Sequence, residues 1–301
     1  MQPLAEIRSL IARRARMSAL AVPLPGVTLA ATDTPHAAFS ALYKPGLALI
    51  VQGAKRTVLG DKVFEYSAGQ YLVVSVLLPV KVQVVRASRE APYLVFCLTL
   101  DPAEIAALLL EKPAGDRRPA PLAGMAVSTA PADLLDAVVR LLRLADHPND
   151  IPVLAPMLKR EILWRLLTGE QGEIVRQIGV ADGRLSQIAR ATHKIRTSYS
   201  ESLSIEALAQ VAGMSVTSFH RHFRAITAMT PLQYQKQIRL QEARTRLIRE
   251  AKDVASVGFD VGYESPSQFS REYSRLFGLS PARDMKRLRG NEKLHRSPFT
   301  S

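Results

Sequence analysis

Between residues 38 and 100 the apolar positions fall in short runs separated by turn residues. Residues 47–51 are apolar and rich in branched side chains; 56–59, 62–66 and 71–78 follow, parted by Gly60-Asp61 and Ala68-Gly69. Residues 81–85 alternate and 93–100 form another apolar run. Turn signals at intervals of about 8–12 residues predict an antiparallel barrel or sandwich. The period then changes. Asp101 is a good N-cap and Pro102 suits a first turn, so a helix is expected through residue 111. After a Pro/Gly-rich stretch at 113–121, residues 133–144 place Leu134, Leu135, Val138, Leu141 and Leu142 at helical spacing. Residues 156–167, with the only tryptophan, Trp164, read as a second amphipathic helix. Such helices either cover the barrel core or form a dimer interface, and the pattern leaves both open.

The C-terminal third carries a sharper pattern. Ser204 caps a short helix holding Ile205, Leu208, Ala209 and Val211; Ala212-Gly213-Met214 is a turn; Ser215 caps a helix over 216–226. A first helix, a Gly-containing turn and a second helix are the grammar of a helix-turn-helix. Phe219 and Phe223, at i and i+4, are expected to face the core. The unit recurs fifty residues later: Val211 matches Val261, Ser215 Ser265, Phe219 Phe269, Arg221 Arg271 and Pro231 Pro281. Phe223 with Tyr273 and Thr230 with Ser280 are similar pairs. Pro266 sits in the first turn of the second recognition helix, and Gly278 ends it. Residues 231–250 between the units have no interior Pro or Gly. At about 1.5 Å per residue they span roughly 30 Å, close to the ~34 Å of one DNA turn.

Charge adds a partner. The 301 residues hold 40 Lys+Arg against 27 Asp+Glu, a net +13. Residues 190–301 hold 19 and 10 of these, so the excess concentrates where the repeat lies. A basic balance favours polyanionic partners, chiefly nucleic acid with an acidic membrane surface as the runner-up. The arginine-rich third is the expected nucleic-acid domain, with double-stranded DNA the partner that a helix-turn-helix implies. The longest apolar run, 71–80, is about half the roughly 20 residues that a bilayer demands, and no apolar segment follows the arginines of the N-terminus. A soluble, cytoplasmic protein with no membrane partner is expected.

Catalytic chemistry is thin. Only His36 lies in the barrel region, so no metal site is expected, and no cofactor motif or catalytic triad stands out. Cys97 is the single cysteine, which excludes internal disulfides; it reads as a small core hydrophobe, with a signal-sensing thiol as the alternative. Arg86 and Arg89, three residues apart after a strand, either clamp an anion or sit in a solvated loop.

Residues 200–290 resemble the tandem helix-turn-helix domain of the AraC/XylS transcription regulators. The second unit carries the resemblance most specifically, through Gly262-Tyr263-Glu264-Ser265-Pro266-Ser267-Gln268-Phe269-Ser270-Arg271-Glu272-Tyr273 and Phe277-Gly278-Leu279-Ser280-Pro281. The first unit departs at Ala228, where family members often carry glycine at the helix end, so a different C-cap is expected there. Residues 1–165 more loosely resemble the family's cupin-like effector and dimerisation domain, most of all the branch typified by aldehyde-responsive regulators.

The resemblance implies an α+β chain with an effector-binding and dimerisation barrel at 1–170 and flanking helices. A helical linker at 171–203, an all-α DNA-binding domain at 204–290 and a flexible tail at 291–301 complete the division. It implies that Thr217, Ser218, His220 and Arg221, with Ser267, Gln268 and Arg271, read bases. Each lies in the first two turns of its helix, where Arg suits guanine and Gln suits adenine. Arg224, Lys236, Arg239, Arg275 and Lys286 are the phosphate candidates. Tyr43, Arg86, Arg89, Tyr93 and Phe96 are the candidates for a small-molecule pocket. RNA polymerase is the implied protein partner; activation is the expected direction, and monomer and dimer both stay open. The competing readings are a constitutive DNA binder with a structural barrel, a redox sensor acting through Cys97, and an enzyme fused to a DNA-binding domain. The last lacks a catalytic motif.

Overall fold

The computed structural model describes residues 3–16, 24–111, 123–180, 183–249 and 253–290. The Pro/Gly-rich stretch at 113–121 and the tail at 291–301 lie outside them. Among the described residues, nine strands build two facing antiparallel sheets. The strands are β1 (Val27–Thr32), β2 (Phe39–Tyr43), β3 (Gly46–Gln52), β4 (Ala54–Leu59), β5 (Lys62–Ser67), β6 (Gln70–Val74), β7 (Leu78–Arg86), β8 (Tyr93–Thr99) and β9 (Met125–Thr129). One sheet runs β1-β8-β3-β6-β9, the other β2-β7-β4-β5.

The alternation in β4 shows why the sheets close on each other. Lys55, Thr57 and Leu59 are buried while Arg56 is exposed, and on β7 Val80, Val82 and Val84 are buried while Lys81 is exposed. A period of two thus gives each strand one interior face. Gly60-Asp61 joins β4 and β5 as a two-residue hairpin, with Leu59 opposite Lys62 and Gly60 at φ +61°.

The expected strand over 71–78 is in fact two. β6 ends at Val74 and β7 starts at Leu78, in the other sheet. At the crossing, the Ser75 N–H and Oγ both donate to the Gly124 carbonyl, at 2.9 and 3.0 Å. The whole segment is apolar on both faces, so its pattern carries no mark of a change of sheet.

The helices are α1 (Pro3–Arg16), α2 (Pro102–Glu111), α3 (Ala132–Arg143), α4 (Ile151–Thr168), α5 (Gly172–Gly179), α6 (Arg184–Thr197), α7 (Ile205–Ala212), α8 (Val216–Thr227), α9 (Pro231–Arg249), α10 (Val254–Asp260), α11 (Pro266–Phe277) and α12 (Pro281–Gly290). Asp101 opens α2 as expected: its Oδ1 accepts from the Ala103 N–H at 2.8 Å. α4 begins five residues before the expected start and carries Pro156 inside it. α1 buries Ile7 and Ile11 completely. It is tied to the α3 end by Arg143–Glu6 at 2.5 Å and Arg14–Asp146 at 3.1 Å. The glycines at 172 and 179 bound a packed helix rather than a loose linker. A methyl at Gly179 would lie 2.6 Å from the Ile105 side chain, so α5 approaches α2 closely because that position is glycine.

One hydrophobic cluster runs from Ile7 through the barrel and α3–α6 to Ile238 in α9, so the first helix-turn-helix shares its core with the barrel side of the molecule. The second unit has its own cluster, centred on Leu240, Ala243, Val257, Val261, Phe269 and Tyr273. No described helix is long and apolar enough to cross a membrane.

Candidate nucleic-acid interface and barrel interior

Both recognition helices are built by the residues that the sequence pattern singles out. The Ser204 Oγ accepts from the Ala207 N–H at 3.1 Å and opens α7; Gly213 closes it at φ +64°. The Ser215 Oγ accepts from the Ser218 N–H, and the Ser265 Oγ from the Gln268 N–H, each at 3.4 Å. An Asp253 carboxylate oxygen caps α10 by accepting from Ala255 and Ser256 at 2.9 and 3.0 Å. Phe219 and Phe223 are fully buried with ring centroids 5.4 Å apart, and Phe269 and Tyr273 repeat the arrangement at 5.6 Å.

Fixing those rings inward turns the other faces out. Thr217, His220 and Arg221 on α8, and Ser267, Gln268 and Arg271 on α11, are exposed; Ser218 is half-buried. The Arg221 Nη2 reaches the Ser218 Oγ at 3.4 Å. The Gln268 Nε2 donates to the Glu272 Oε1 at 3.3 Å. Glu272 also accepts from the Lys236 Nζ at 2.9 Å and the Tyr263 Oη at 2.8 Å. Burial works to raise its pKa, but the three hydrogen bonds outweigh it and hold the carboxyl below its usual range. Among the described residues, Arg224, Arg271, Arg275 and Lys286 have no ion pair and are exposed.

Two phosphate candidates are otherwise engaged. Arg239 donates to the carbonyls of Tyr199 (2.6 Å), Gly262 (2.8 Å), Glu201 (2.9 Å) and Ser200 (3.3 Å). With its guanidinium spent on four carbonyls it braces the chain before α7 against the turn after α10, and it is not a free surface cation. Lys236 is half-exposed but paired with Glu272. His222 turns inward and is buried; burial, with Arg184 and Arg221 nearby, lowers its pKa and keeps the ring neutral.

Sequence reasoning missed the anchor of the second unit. Asp284 is fully buried and accepts from Arg244 (2.8 Å), Arg287 (3.0 Å) and Tyr273 (3.0 Å). Arg244 also stacks over the Phe277 ring, 4.7 Å from its centroid. Asp284 sits in a charged stretch that reads as solvated surface, and its sequence carries no signal of burial.

Ala228 corrects the expected C-cap. It takes the left-handed conformation at φ 57°, as Gly278 does at φ 77° fifty residues on, and its N–H reaches the Arg224 carbonyl at 2.9 Å. The cap geometry is the same in both units. Here it is held by a residue with a Cβ, the only non-glycine at positive φ among the described residues.

That end of α8 is where the barrel docks. A methyl at Gly60, in the β4–β5 turn, would sit 2.7 Å from the Ala228 carbonyl oxygen; one at Gly124 would sit 2.2 Å from the Ile226 carbonyl oxygen. The Tyr234 Oη of α9 donates to the Leu77 carbonyl at 2.8 Å. Beyond this, α9 packs on β2 and β7, and α11 touches β2, so the barrel touches elements of both units.

Of the pocket candidates, Tyr43 and Tyr93 are buried inside the barrel. Phe96 is not with them. It alternates with Val95 and Cys97 on β8, so it projects from the opposite face of that sheet, where α1 packs. Arg86 and Arg89 are exposed at and beyond the end of β7. The interior instead gathers residues that sequence reasoning passed over. The Thr57 and Tyr66 hydroxyls are 3.0 Å apart, and the Lys55 Nζ lies 5.2 Å from the Tyr43 ring centroid. Cys97 faces this group. Burial pushes its thiol up to about 12, against an opposing pull from Lys55, so it is protonated at neutral pH. That state does not suit thiolate-based sensing. The signal for Lys55 was available: at two-residue spacing it shares an inward face with Thr57 and Leu59. Among the described residues no group of three or more His, Cys, Asp or Glu could hold a metal ion.

A family model for the N-terminus of AraC-type transcriptional regulators matches residues 23–174, and a helix-turn-helix domain model matches residues 208–287. Among curated proteins, the RCS-specific transcriptional activator RclR of Escherichia coli is 37% identical over 86 residues, 29% of this chain and 30% of that protein. The transcriptional activator RhaS of Escherichia fergusonii is 30% identical over 131 residues, 42% of this chain and 46% of that protein. The chain thus matches about a third to a half of the length of these relatives. Among solved structures, apo ToxT of Vibrio cholerae aligns with a TM-score of 0.56 at 8% identity, covering 87% of this chain and 97% of that one. Unsaturated-fatty-acid-bound ToxT aligns at 0.55 and 7% identity, covering 86% and 94%. At such identity the likeness concerns the fold: a two-sheet N-terminal domain followed by two helix-turn-helix units.

Proposed function

The chain belongs to the AraC-type transcriptional regulators, and from that premise we propose that it is a cytoplasmic, sequence-specific DNA-binding regulator controlled by a small molecule held in its N-terminal barrel. The observation that carries the DNA-binding half is the pair of capped recognition helices. Each buries two aromatic rings and turns polar residues and an unpaired or lightly engaged arginine outward. Arg221 and Arg271 suit guanine, and Gln268 suits adenine, in successive major grooves. Arg224, Arg275 and Lys286 would hold phosphates and position the protein without reading sequence. RNA polymerase is the partner of such a regulator, and activation is the direction named for the RclR and RhaS relatives.

The control half is supported by the docking of the barrel on both units. A ligand that shifts β2, β4 or β7 would change how α8, α9 and α11 are displayed. ToxT, of the same fold, has been solved with an unsaturated fatty acid bound. The barrel, the helices that follow it and the tandem units form the working division at about residues 170 and 204.

Arg271→Ala tests the base-reading role. Removing a bidentate base contact costs about 1–3 kcal/mol on the preferred site, with a smaller loss on random duplex. Lys286→Ala is expected to weaken both alike and to reduce the salt slope by about one unit. Equal losses on both DNAs for Arg271→Ala would contradict its assignment.

A further inference from the structure

Six chemistry-bearing side chains meet inside the barrel from both sheets: Tyr43, Lys55, Thr57 and Tyr66 from one, Tyr93 and Cys97 from the other. Lys55 is 7% exposed, and among the described residues it has neither an ion pair nor a hydrogen bond. Its ammonium rests on the face of the Tyr43 ring, a contact that favours a cation but supplies no counter-charge. The Tyr93 hydroxyl is 97% buried with its residue and has no hydrogen-bond partner. A largely buried lysine whose ammonium has only an aromatic face beside it, and a buried phenol with no hydrogen-bond partner, are costly to keep in a folded core. Such groups remain where a ligand completes them.

We propose that the barrel interior is a binding site for a small carboxylate with an apolar body, Lys55 supplying the counter-ion and the Tyr93 hydroxyl a hydrogen bond to the same group. This deepens the reading of the barrel as a sensor domain and rests on it. Among the described residues Lys55 is the one buried lysine or arginine, which suits a single negative charge rather than a phosphate dianion. Burial pushes all three phenols up, so they stay neutral and donate. Val80, Val82 and Val84 of β7 add buried apolar side chains to the same interior. Lys55 and Thr57 lie on the hairpin whose tip, Gly60, presses on Ala228, so an anion drawn to Lys55 acts on the strand that meets the recognition helix.

The test uses the full chain. Hexanoate and benzoate, with hexanamide and benzamide as uncharged counterparts, are titrated while tyrosine fluorescence and melting temperature are followed. At least one carboxylate is expected to bind at least tenfold more tightly than its amide, and Lys55→Met to abolish that preference. Without ligand, Lys55→Met is expected to melt higher than the parent, because it removes an uncompensated buried charge. Tyr93→Phe, which removes one oxygen and keeps the packing, is expected to weaken the same carboxylate severalfold and serves if Lys55→Met does not fold. No preference for either carboxylate over its amide, or a ligand-free Lys55→Met that melts lower, overturns the anion site. Equal binding of an amide would leave the sensor reading standing, whereas loss of any DNA response to barrel ligands would strike that reading instead.

Discussion

Asp284 is a single carboxylate on which three donors of the second unit converge, from α9, α11 and α12. Removing one partner of a buried, hydrogen-bonded charge cluster strands the others, so Asp284→Ala is expected to destabilise the second unit by about 3–5 kcal/mol. Hydrogen exchange of α10–α12 checks this, and unchanged protection there would contradict it. His222 gives the first unit a pH dependence. Its folded-state pKa lies below the ordinary 6.5, so the unfolded chain binds the proton first. Its stabilising contribution is complete above about pH 6.5 and is lost as pH falls toward the depressed value. His222→Gln is expected to flatten the fall in melting temperature between pH 7.5 and 5.5. At this scale the sequence was legible where a residue type has one common use. The cap serines and Phe219, Phe223 and Phe269 were of that kind. Arg239 and Lys55 were not, because a charged side chain reads as surface until its partners are known, and those lie far away in the chain.

The tandem elements were the most readable part of the molecule, since two copies in one register check each other. Ser215 and Ser265, and Pro231 and Pro281, hold equivalent places at helix starts. The one expected departure, at Ala228, vanished because the left-handed cap is dictated by the helix packing and not by the residue. Alanine tolerates that conformation at a cost of roughly 1–2 kcal/mol. Ala228→Gly is therefore expected to raise the melting temperature of the first unit, by an amount reduced by the greater freedom of glycine in the unfolded chain. A lower melting temperature would show that the Ala228 methyl, packed against the barrel, matters more. In the N-terminal half strand existence was readable and strand membership was not. The corner between β6 and β7, and β1, β2 and β9 at the margins, depend on pairings that no local pattern encodes. α1 was legible in principle through Ile7 and Ile11 at i and i+4, and α5 was obscured by the glycines that let it pack.

Across the whole molecule the barrel and the DNA-binding units are not beads on a string. Gly60, Gly124 and the Tyr234–Leu77 hydrogen bond bring the barrel against α8 and α9. Gly60→Ala forces a methyl into the Ala228 carbonyl at a positive φ, so the docking is expected to loosen. Faster proteolysis between residues 197 and 231, with tight DNA binding retained but uncoupled from any barrel ligand, checks this. Unchanged proteolysis would contradict it. The central claim, that two recognition helices on one chain read DNA sequence, is tested most directly by selecting binding sites from a random duplex library with the full chain. The account predicts an enriched motif with two specified blocks about 10 base pairs apart, one relaxed by Arg221→Ala and the other by Arg271→Ala. Recovery of sequences with no shared motif, or a motif indifferent to both substitutions, would contradict it.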